Sequence, residues 1–145
     1  MLHSTRLTHP QLQVVYTILG ESSIPQRELG HLRGYRGSQP VRVGNRAWDQ
    51  SQLDVYGKVL DGVFRTEPEA CDFSRDARGL IAGAADFVSE HCRDADYGIW
   101  ELQEKAQPTH SRALCWLALD RAIKLLAQCK VSPKRVARWE KACAR

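Results

Sequence analysis

The fold is decided by the stretch Leu53-Asp-Val-Tyr-Gly-Lys-Val-Leu-Asp-Gly-Val-Phe64. Its apolar side chains recur every three or four residues, which places them on one face of an α-helix. The pattern begins upstream, and Asn45 is a suitable residue to cap the helix start. We therefore predict a helix with one buried face from about residue 45 to Glu67-Pro68, with the apolar positions Trp48, Leu53, Tyr56, Val59, Leu60, Val63 and Phe64.

Three more helices are predicted further along the chain. The same periodicity runs over about residues 77–92 and again from near Ser111 to Lys130, whose positive charge suits a helix C-terminus. Ser132-Pro133 opens a shorter helix, with Ser as the cap and Pro at the first helical position. The basic side chains of this last helix (Lys134, Arg135, Arg138 and Lys141) are expected to form its solvent-exposed side. These elements predict an all-α fold of helical hairpins.

The first part of the chain lacks such a clear pattern. Residues 12–19 are apolar and lie between Pro10 and Gly20, which predicts a brief helix, although their β-branched content leaves a strand open. Residues 21–45 are punctuated by glycines and prolines and predict a long irregular loop. Loops of this length in compact domains usually carry function.

The most unusual chemistry lies in a second loop, Asp94-Ala-Asp-Tyr-Gly-Ile-Trp-Glu101, between two predicted helices. A Trp followed directly by a Glu suits a sugar, because the ring offers a flat surface and the carboxylate reaches a hydroxyl or ether oxygen. The structural alternative is that Trp100 closes the end of a helix pair while Glu101 points into water.

Composition restricts the class of protein. The chain has 145 residues, of which 43% are hydrophobic and 26% are charged, so we expect one globular helical domain over residues 1–145. The net charge of +4 is spread along the chain and does not indicate a nucleic-acid partner. No stretch is apolar enough to suggest a signal peptide or a membrane span.

The five cysteines contain no C-x-x-C pair, so they indicate neither a zinc site nor a disulfide framework. Several lie among apolar residues of predicted helices, where a free thiol behaves as a small hydrophobic side chain. We therefore expect a cytoplasmic location, and we expect neither a metal nor a cofactor.

Taken together, the loops resemble those of glycoside hydrolase family 15, which contains glucoamylases, glucodextranase-like enzymes and trehalases. The matching segments follow one another in the same order over about residues 12–124. They are Tyr16-Thr-Ile-Leu-Gly-Glu21, Gly34-Tyr-Arg-Gly-Ser-Gln-Pro-Val-Arg-Val-Gly-Asn45, Gln52-Leu-Asp-Val-Tyr-Gly57, Gly98-Ile-Trp-Glu101, and Thr109-His-Ser111 with Trp116-Leu-Ala-Leu-Asp-Arg121.

This resemblance implies a fragment of an α/α toroid of six helical hairpins, with a sugar pocket formed by loops at one end. It also implies inverting hydrolysis of α-glucosidic bonds by one acidic and one basic carboxyl group, which stand about 6.5–9.5 Å apart. Glu101 matches the general acid, and burial beside Trp100 and Tyr97 is expected to raise its pKa. The implied substrate-binding residues are Tyr35, Arg42, Trp100, Tyr97 and His110.

The chain also departs from the family pattern. It covers only the middle of the toroid, and the segment that carries the general base would lie beyond Arg145. Lys58 and Gln103 stand where the family usually has a glutamate and an arginine. We therefore expect a glucoamylase-like module that keeps the acid, lacks the base and hydrolyses glycosides poorly or not at all by itself, because acid–base catalysis is worth about 10²–10⁴-fold.

Two kinds of partner follow from these expectations. An α-glucoside or another carbohydrate would bind in the loops, and a copy of the chain or a complementary chain would cover helix faces left without neighbours. The alternative function is a non-catalytic helical protein that associates with itself through these faces.

Overall fold

The computed structural model describes residues 11–66, 73–127, 129 and 131–144. Four helices dominate it: α1 (Asp54–Thr66), α2 (Arg75–His91), α3 (Thr109–Leu126) and α4 (Pro133–Cys143). Two short strands, β1 (Arg27–Glu28) and β2 (Arg42–Val43), form an antiparallel ladder. The predicted all-α fold is therefore confirmed. The expected end of the first helix at Glu67-Pro68, Cys71 and the capping Lys130 lie outside the described residues.

Helices α1 and α3 run in parallel and make the main interface. The start of α1 lies beside the start of α3, since Gly57 packs on the backbone of Leu114, and Arg121 further along α3 binds Asp61. A Cβ atom at Gly57 would stand 2.4 Å from the Leu114 carbonyl oxygen, so only glycine permits this approach. Helix α2 is antiparallel to α1, because Tyr56 near the start of α1 stacks on Phe87 near the end of α2.

One hydrophobic core joins the four helices. Small residues let the helices approach, and large ones fill the space between them. The fully buried members include Ala85 and Val88 of α2, Ala118 and Leu119 of α3, and Trp139 of α4. Parallel α1 and α3 thus place both of their N-terminal ends on the side where the long loops lie.

Helix α4 is held to α2 mainly through the carboxylate of Asp86, and Arg138 also pairs with Glu90 at 3.4 Å. Asp86 accepts hydrogen bonds from Arg135 Nε at 2.7 Å and Trp139 Nε1 at 2.8 Å, and it also binds Arg138. Burial alone would raise the pKa of Asp86, but these donors outweigh it and hold that pKa below its usual range. Lys134, Arg138 and Lys141 are exposed as predicted, whereas Arg135 is partly buried, and Arg135 and Arg138 also bind Asp86 on α2. Helix α4 begins at Pro133 as predicted, yet the Ser132 side chain does not cap it.

Residues 11–19 are neither a helix nor a strand. The Thr17 hydroxyl accepts hydrogen bonds from the N–H groups of Leu19 and Glu21, which closes a turn instead of a helix. Leu12 donates its N–H to the Tyr56 hydroxyl at 2.9 Å and so attaches the segment to α1. The predicted brief helix and its strand alternative were therefore both wrong.

The prediction that the first helix starts at about residue 45 was wrong, because α1 begins at Asp54, whereas the starts of α2 and α3 differ only slightly from prediction. Asn45 is a cap, since its side chain accepts from the Ala47 N–H at 2.8 Å, but the capped element is a short 3₁₀ helix, Arg46–Asp49, that precedes α1. In the described part of the chain, no helix is both long and apolar enough to cross a membrane.

Candidate functional site

The β1–β2 ladder places Arg42 at the base of the long loop. Glu28 pairs with Arg42 across the ladder, and Glu28 Oε1 accepts from Arg42 Nη2 at 3.2 Å. Both side chains are about half exposed or more, so the pair orients the guanidinium without contributing much stability. The ladder therefore fixes where Arg42 stands.

Glu101 lies in a turn whose base is well anchored. Asp96 and Ala106 exchange two backbone hydrogen bonds of 2.8 Å, and Tyr97 donates its N–H to the Ser51 carbonyl at 3.2 Å. The chain then turns at Gly98, which has a φ of +62° and a Cβ position only 2.9 Å from the Pro108 ring. Glycine is required at this position by both the conformation and the space.

Glu101 itself has a φ of 50°, in the left-handed region that non-glycine residues rarely adopt. Its N–H donates to the Gly98 carbonyl at 3.1 Å, and the Leu102 N–H donates to the Tyr97 carbonyl at 3.1 Å. The turn thus presents the carboxylate outward. The expectation that Glu101 is partly buried beside Trp100 and Tyr97 was wrong for this chain, since Glu101 is exposed.

The two loops enclose a cleft of about 680 Å³. Three of the six residues expected at a sugar site line it together: Arg42, Tyr97 and Glu101. The rest of the lining is largely polar and consists of Pro25, Gln26, Arg27, Glu28, Arg46, Trp48, Asp49, Gln50, Leu102 and Gln103. A polar cleft with aromatic rings suits a hydroxyl-rich ligand.

The remaining three expected residues lie elsewhere. Trp100 and Tyr35 are 84% and 79% exposed and do not line the cleft. The alternative in which Trp100 closes a helix pair was therefore wrong. His110 stands at the start of α3, where its Nε2 is 3.6 Å from Asp54 Oδ2.

Two fully buried carboxylates lie behind the site at the helix starts. Asp54 binds Lys58, and Asp96 accepts hydrogen bonds from the Leu53 N–H and the Ser111 hydroxyl. Each has a second oxygen without a hydrogen-bond partner among the described residues. The sequence analysis did not predict either residue as part of the site. The available signal for Asp54 was its acidic side chain next to the apolar positions of a predicted helix.

Other side chains of the cleft were missed as well. Trp48 was assigned to a helix face, and Asp49 and Gln50 were not singled out, yet all three line the cleft. They follow the Asn45 cap and lie in the short 3₁₀ helix or directly after it. Because α1 starts later than the apolar pattern predicts, these three residues precede the helix and line the cleft.

Metal binding and the buried thiol Cys115 are two further features to compare with the cleft. No group of three or more His, Cys, Asp or Glu side chains there could hold a metal ion. Burial raises the pKa of the Cys115 thiol to about 12, so this thiol stays protonated and is a poor nucleophile.

Comparison with known proteins shows the family of the chain. Residues 2–143 match the family described as glycosyl hydrolases family 15. The chain therefore belongs to glycosyl hydrolases family 15, and its all-α fold is a fragment of the α/α toroid of that family. The resemblance to this family is thereby confirmed.

Several curated relatives are trehalases. The chain is 39% identical to a trehalase of Mycolicibacterium smegmatis over 118 residues, which cover 81% of this chain and 18% of the relative. It is 38% identical to a trehalase of Mycobacterium tuberculosis over 118 residues, 81% of this chain and 17% of the relative.

A more distant relative is Trehalase 1 of Sulfolobus acidocaldarius, 35% identical over 122 residues, 81% of this chain and 22% of the relative. The chain thus spans about a fifth of the length of the curated relatives it matches. No solved structure is significantly similar to it.

Proposed function

We propose that this chain forms the proton-donor wall of a trehalase-type site that cleaves α-glucosidic bonds with inversion. Glu101 is the proposed general acid, and Arg42 and Tyr97 are proposed to bind the adjoining glucose unit. The observation that carries the proposal is the cleft of about 680 Å³ that these three residues line together. That volume lies within the ordinary range of small-molecule sites.

The chemistry of the lining supports a sugar. Tyr97 and Trp48 provide aromatic faces, and Arg42 provides charge-assisted hydrogen bonds to hydroxyl groups. Tyr35, Trp100 and His110 lie outside the cleft in this chain, and we keep them as proposed contacts to outer parts of the substrate.

A general acid that works near neutral pH needs a raised pKa, which burial supplies. Glu101 is exposed in this chain, so we propose that an opposite protein wall covers it and brings the general base to about 6.5–9.5 Å. Such a wall would come from a complementary chain, a second copy or further polypeptide. By itself, the chain is proposed to hydrolyse trehalose and maltose poorly or not at all.

Sugar binding is the direct test. Trehalose and maltose, titrated to tens of millimolar, should shift the NMR indole resonance of Trp48, which lines the cleft. Arg42→Ala should weaken this binding at least tenfold, whereas Arg33→Ala, a control outside the cleft lining, should leave it unchanged. No shift for either sugar, or equal effects of the two substitutions, would refute the proposed cleft.

A second candidate function is self-association without catalysis. It is favoured by large apolar side chains that are exposed: Ile18 and Leu19 at the Thr17 turn, and Trp116 on α3. Sedimentation that gives a monomer at high protein concentration would exclude this candidate, and a dimer that dissociates on Trp116→Ser would support it.

A reducing, cytoplasmic location is also part of the proposal. The cysteines in the described ranges, Cys92, Cys115, Cys129 and Cys143, are all free of disulfide bonds. Disulfides are rare in that compartment.

A further inference from the structure

Asp96 occupies an unusual position for a charged residue. Its side chain is fully buried, and its Oδ2 accepts hydrogen bonds from the Leu53 N–H at 2.8 Å and the Ser111 hydroxyl at 2.9 Å. Leu53 immediately precedes α1, and Ser111 lies in the first turn of α3. One carboxylate therefore ties the starts of two helices together.

Burying a charged side chain in this way costs free energy of folding. A buried carboxylate loses its hydration, and Asp96 Oδ1 regains no hydrogen bond from any described residue. Part of this cost is offset because α1 and α3 are parallel, so the partial positive charges of both N-termini face the same carboxylate. An apolar side chain could fill the space, but it would link neither helix start to the loop.

The backbone of Asp96 is held equally firmly. It exchanges two hydrogen bonds of 2.8 Å with Ala106, and the next residue, Tyr97, donates to the Ser51 carbonyl. Asp96 is thus the point where the loop that carries Glu101 attaches to the helical core.

Beyond this point the turn has little support of its own. Its internal hydrogen bonds are the two of 3.1 Å at residues 97–102, and the Gln50 side chain reaches the Leu102 carbonyl at 3.5 Å. Glu101 nevertheless adopts a left-handed backbone conformation, with a φ of 50°. Disfavoured conformations of this kind persist only where the surrounding structure imposes them.

We propose that Asp96 is a positioning residue, which fixes the Glu101 turn at the edge of the cleft by tying its base to the starts of α1 and α3. The functional importance of this positioning rests on the proposed role of Glu101 as general acid. The effect acts through the backbone, since Asp96 is buried behind the cleft and does not line it. It would hold the proton donor in place before a substrate arrives.

The test is the mobility of the Glu101 backbone in the full chain, measured as the ¹⁵N NMR order parameter. In the unaltered chain we expect about 0.85, the value of rigid backbone, and in Asp96→Ala a fall below about 0.6. Asp96→Asn keeps an oxygen that can accept from the Leu53 N–H and should lie between these values. Asp94→Asn is the matched control, because Asp94 is an exposed residue of the same loop that pairs with His91.

The outcomes separate positioning from a purely structural role. If Asp96→Ala lowers thermal stability but leaves the Glu101 order parameter unchanged, the proposal is overturned. If Asp96→Ala does not fold, Ser111→Ala decides, since it removes one hydrogen bond from Asp96 and keeps the carboxylate. An unchanged Glu101 order parameter in Ser111→Ala and in Asp96→Asn would equally overturn it. The measurement uses no sugar, so failed sugar binding and failed positioning are told apart.

Discussion

The helical core and the loop region of this molecule are stabilised in opposite ways. In the core, Ala85, Val88, Ala118 and Leu119 are buried and pack through apolar contacts. In the loop region, the cleft is lined mainly by polar side chains, and Glu101 has a strained backbone. Packing fixes the first region, and a few anchored hydrogen bonds fix the second.

This difference predicts which property a substitution in each region should change. A change of volume in the core affects the stability of the whole chain, because close-packed helices relax only partly. A change in the loops affects the geometry of the cleft and has a smaller effect on unfolding. The following predictions test this contrast, from the largest effect to the smallest.

The largest effect is expected at the α1–α3 contact. Gly57→Ala would place a Cβ atom 2.4 Å from the Leu114 carbonyl oxygen and 2.7 Å from Leu114 Cβ, so the helices must separate. We expect a loss of about 3 kcal/mol in the free energy of unfolding, measured by chemical denaturation.

The matched control for that substitution is Gly62→Ala on the same helix. A Cβ at Gly62 meets nothing within 4 Å, and Ala favours helix more than Gly by about 1 kcal/mol. This variant should therefore be as stable as the unaltered chain or more so. Equal losses for the two variants would show that helix packing at Gly57 is not the cause.

A smaller effect is expected at Asp86, which joins α2 to α4. Asp86→Asn removes the charge that Arg135, Arg138 and Trp139 share, at a cost of about 1–2 kcal/mol near pH 7, since partly exposed partners are screened. The pKa of Asp86 is lowered in the folded state, so its contribution is complete above the unfolded pKa of about 3.9 and is lost as pH falls through the folded value.

Denaturation at pH 7 and at pH 3 checks this dependence. The difference between the unaltered chain and Asp86→Asn should shrink at the lower pH. Glu104→Gln, at an exposed loop residue, should show no such dependence. A difference that stays constant with pH would contradict the assigned charge interaction.

The smallest effect, of opposite sign, is expected in the loop region. Glu101→Gly removes the strain of a side chain in the left-handed conformation, so it should raise the free energy of unfolding by about 0.5–1 kcal/mol. The same substitution removes the proposed acid. Glu104→Gly in the same loop has no such strain to relieve and should lower stability slightly. A loss of stability in Glu101→Gly would mean that its backbone is not strained.

The core could be predicted from the sequence because its signal is local. The periodic apolar residues of α1, α2 and α3 each specify a buried face without reference to the others. Residues 11–19 could not be predicted in this way, because the Thr17 side chain competes with helical hydrogen bonds and Leu12 binds a tyrosine distant in sequence. The binding of Arg135 and Arg138 to Asp86 could not be predicted either, since Asp86 lies on another helix.

Apart from the Trp100–Glu101 pair, the candidate site was predictable only through its family resemblance. Arg42 lies on one loop and Tyr97 and Glu101 on another, and nothing local in the sequence indicates that the two loops meet at one cleft. Asp96 escaped notice because it is one of several acidic residues in its stretch and its burial depends on two helix starts. The exposure of Glu101 depends on the whole tertiary arrangement around it, which no short motif encodes.

The β1–β2 ladder has a practical consequence for protein engineering. Because Glu28 and Arg42 close the loop at its base, residues 29–41 form a separate excursion beyond that closure, with Tyr35 at its exposed end. This excursion is a natural graft point. A shorter hairpin or a foreign peptide could be exchanged there while Arg42 keeps its place beside the cleft.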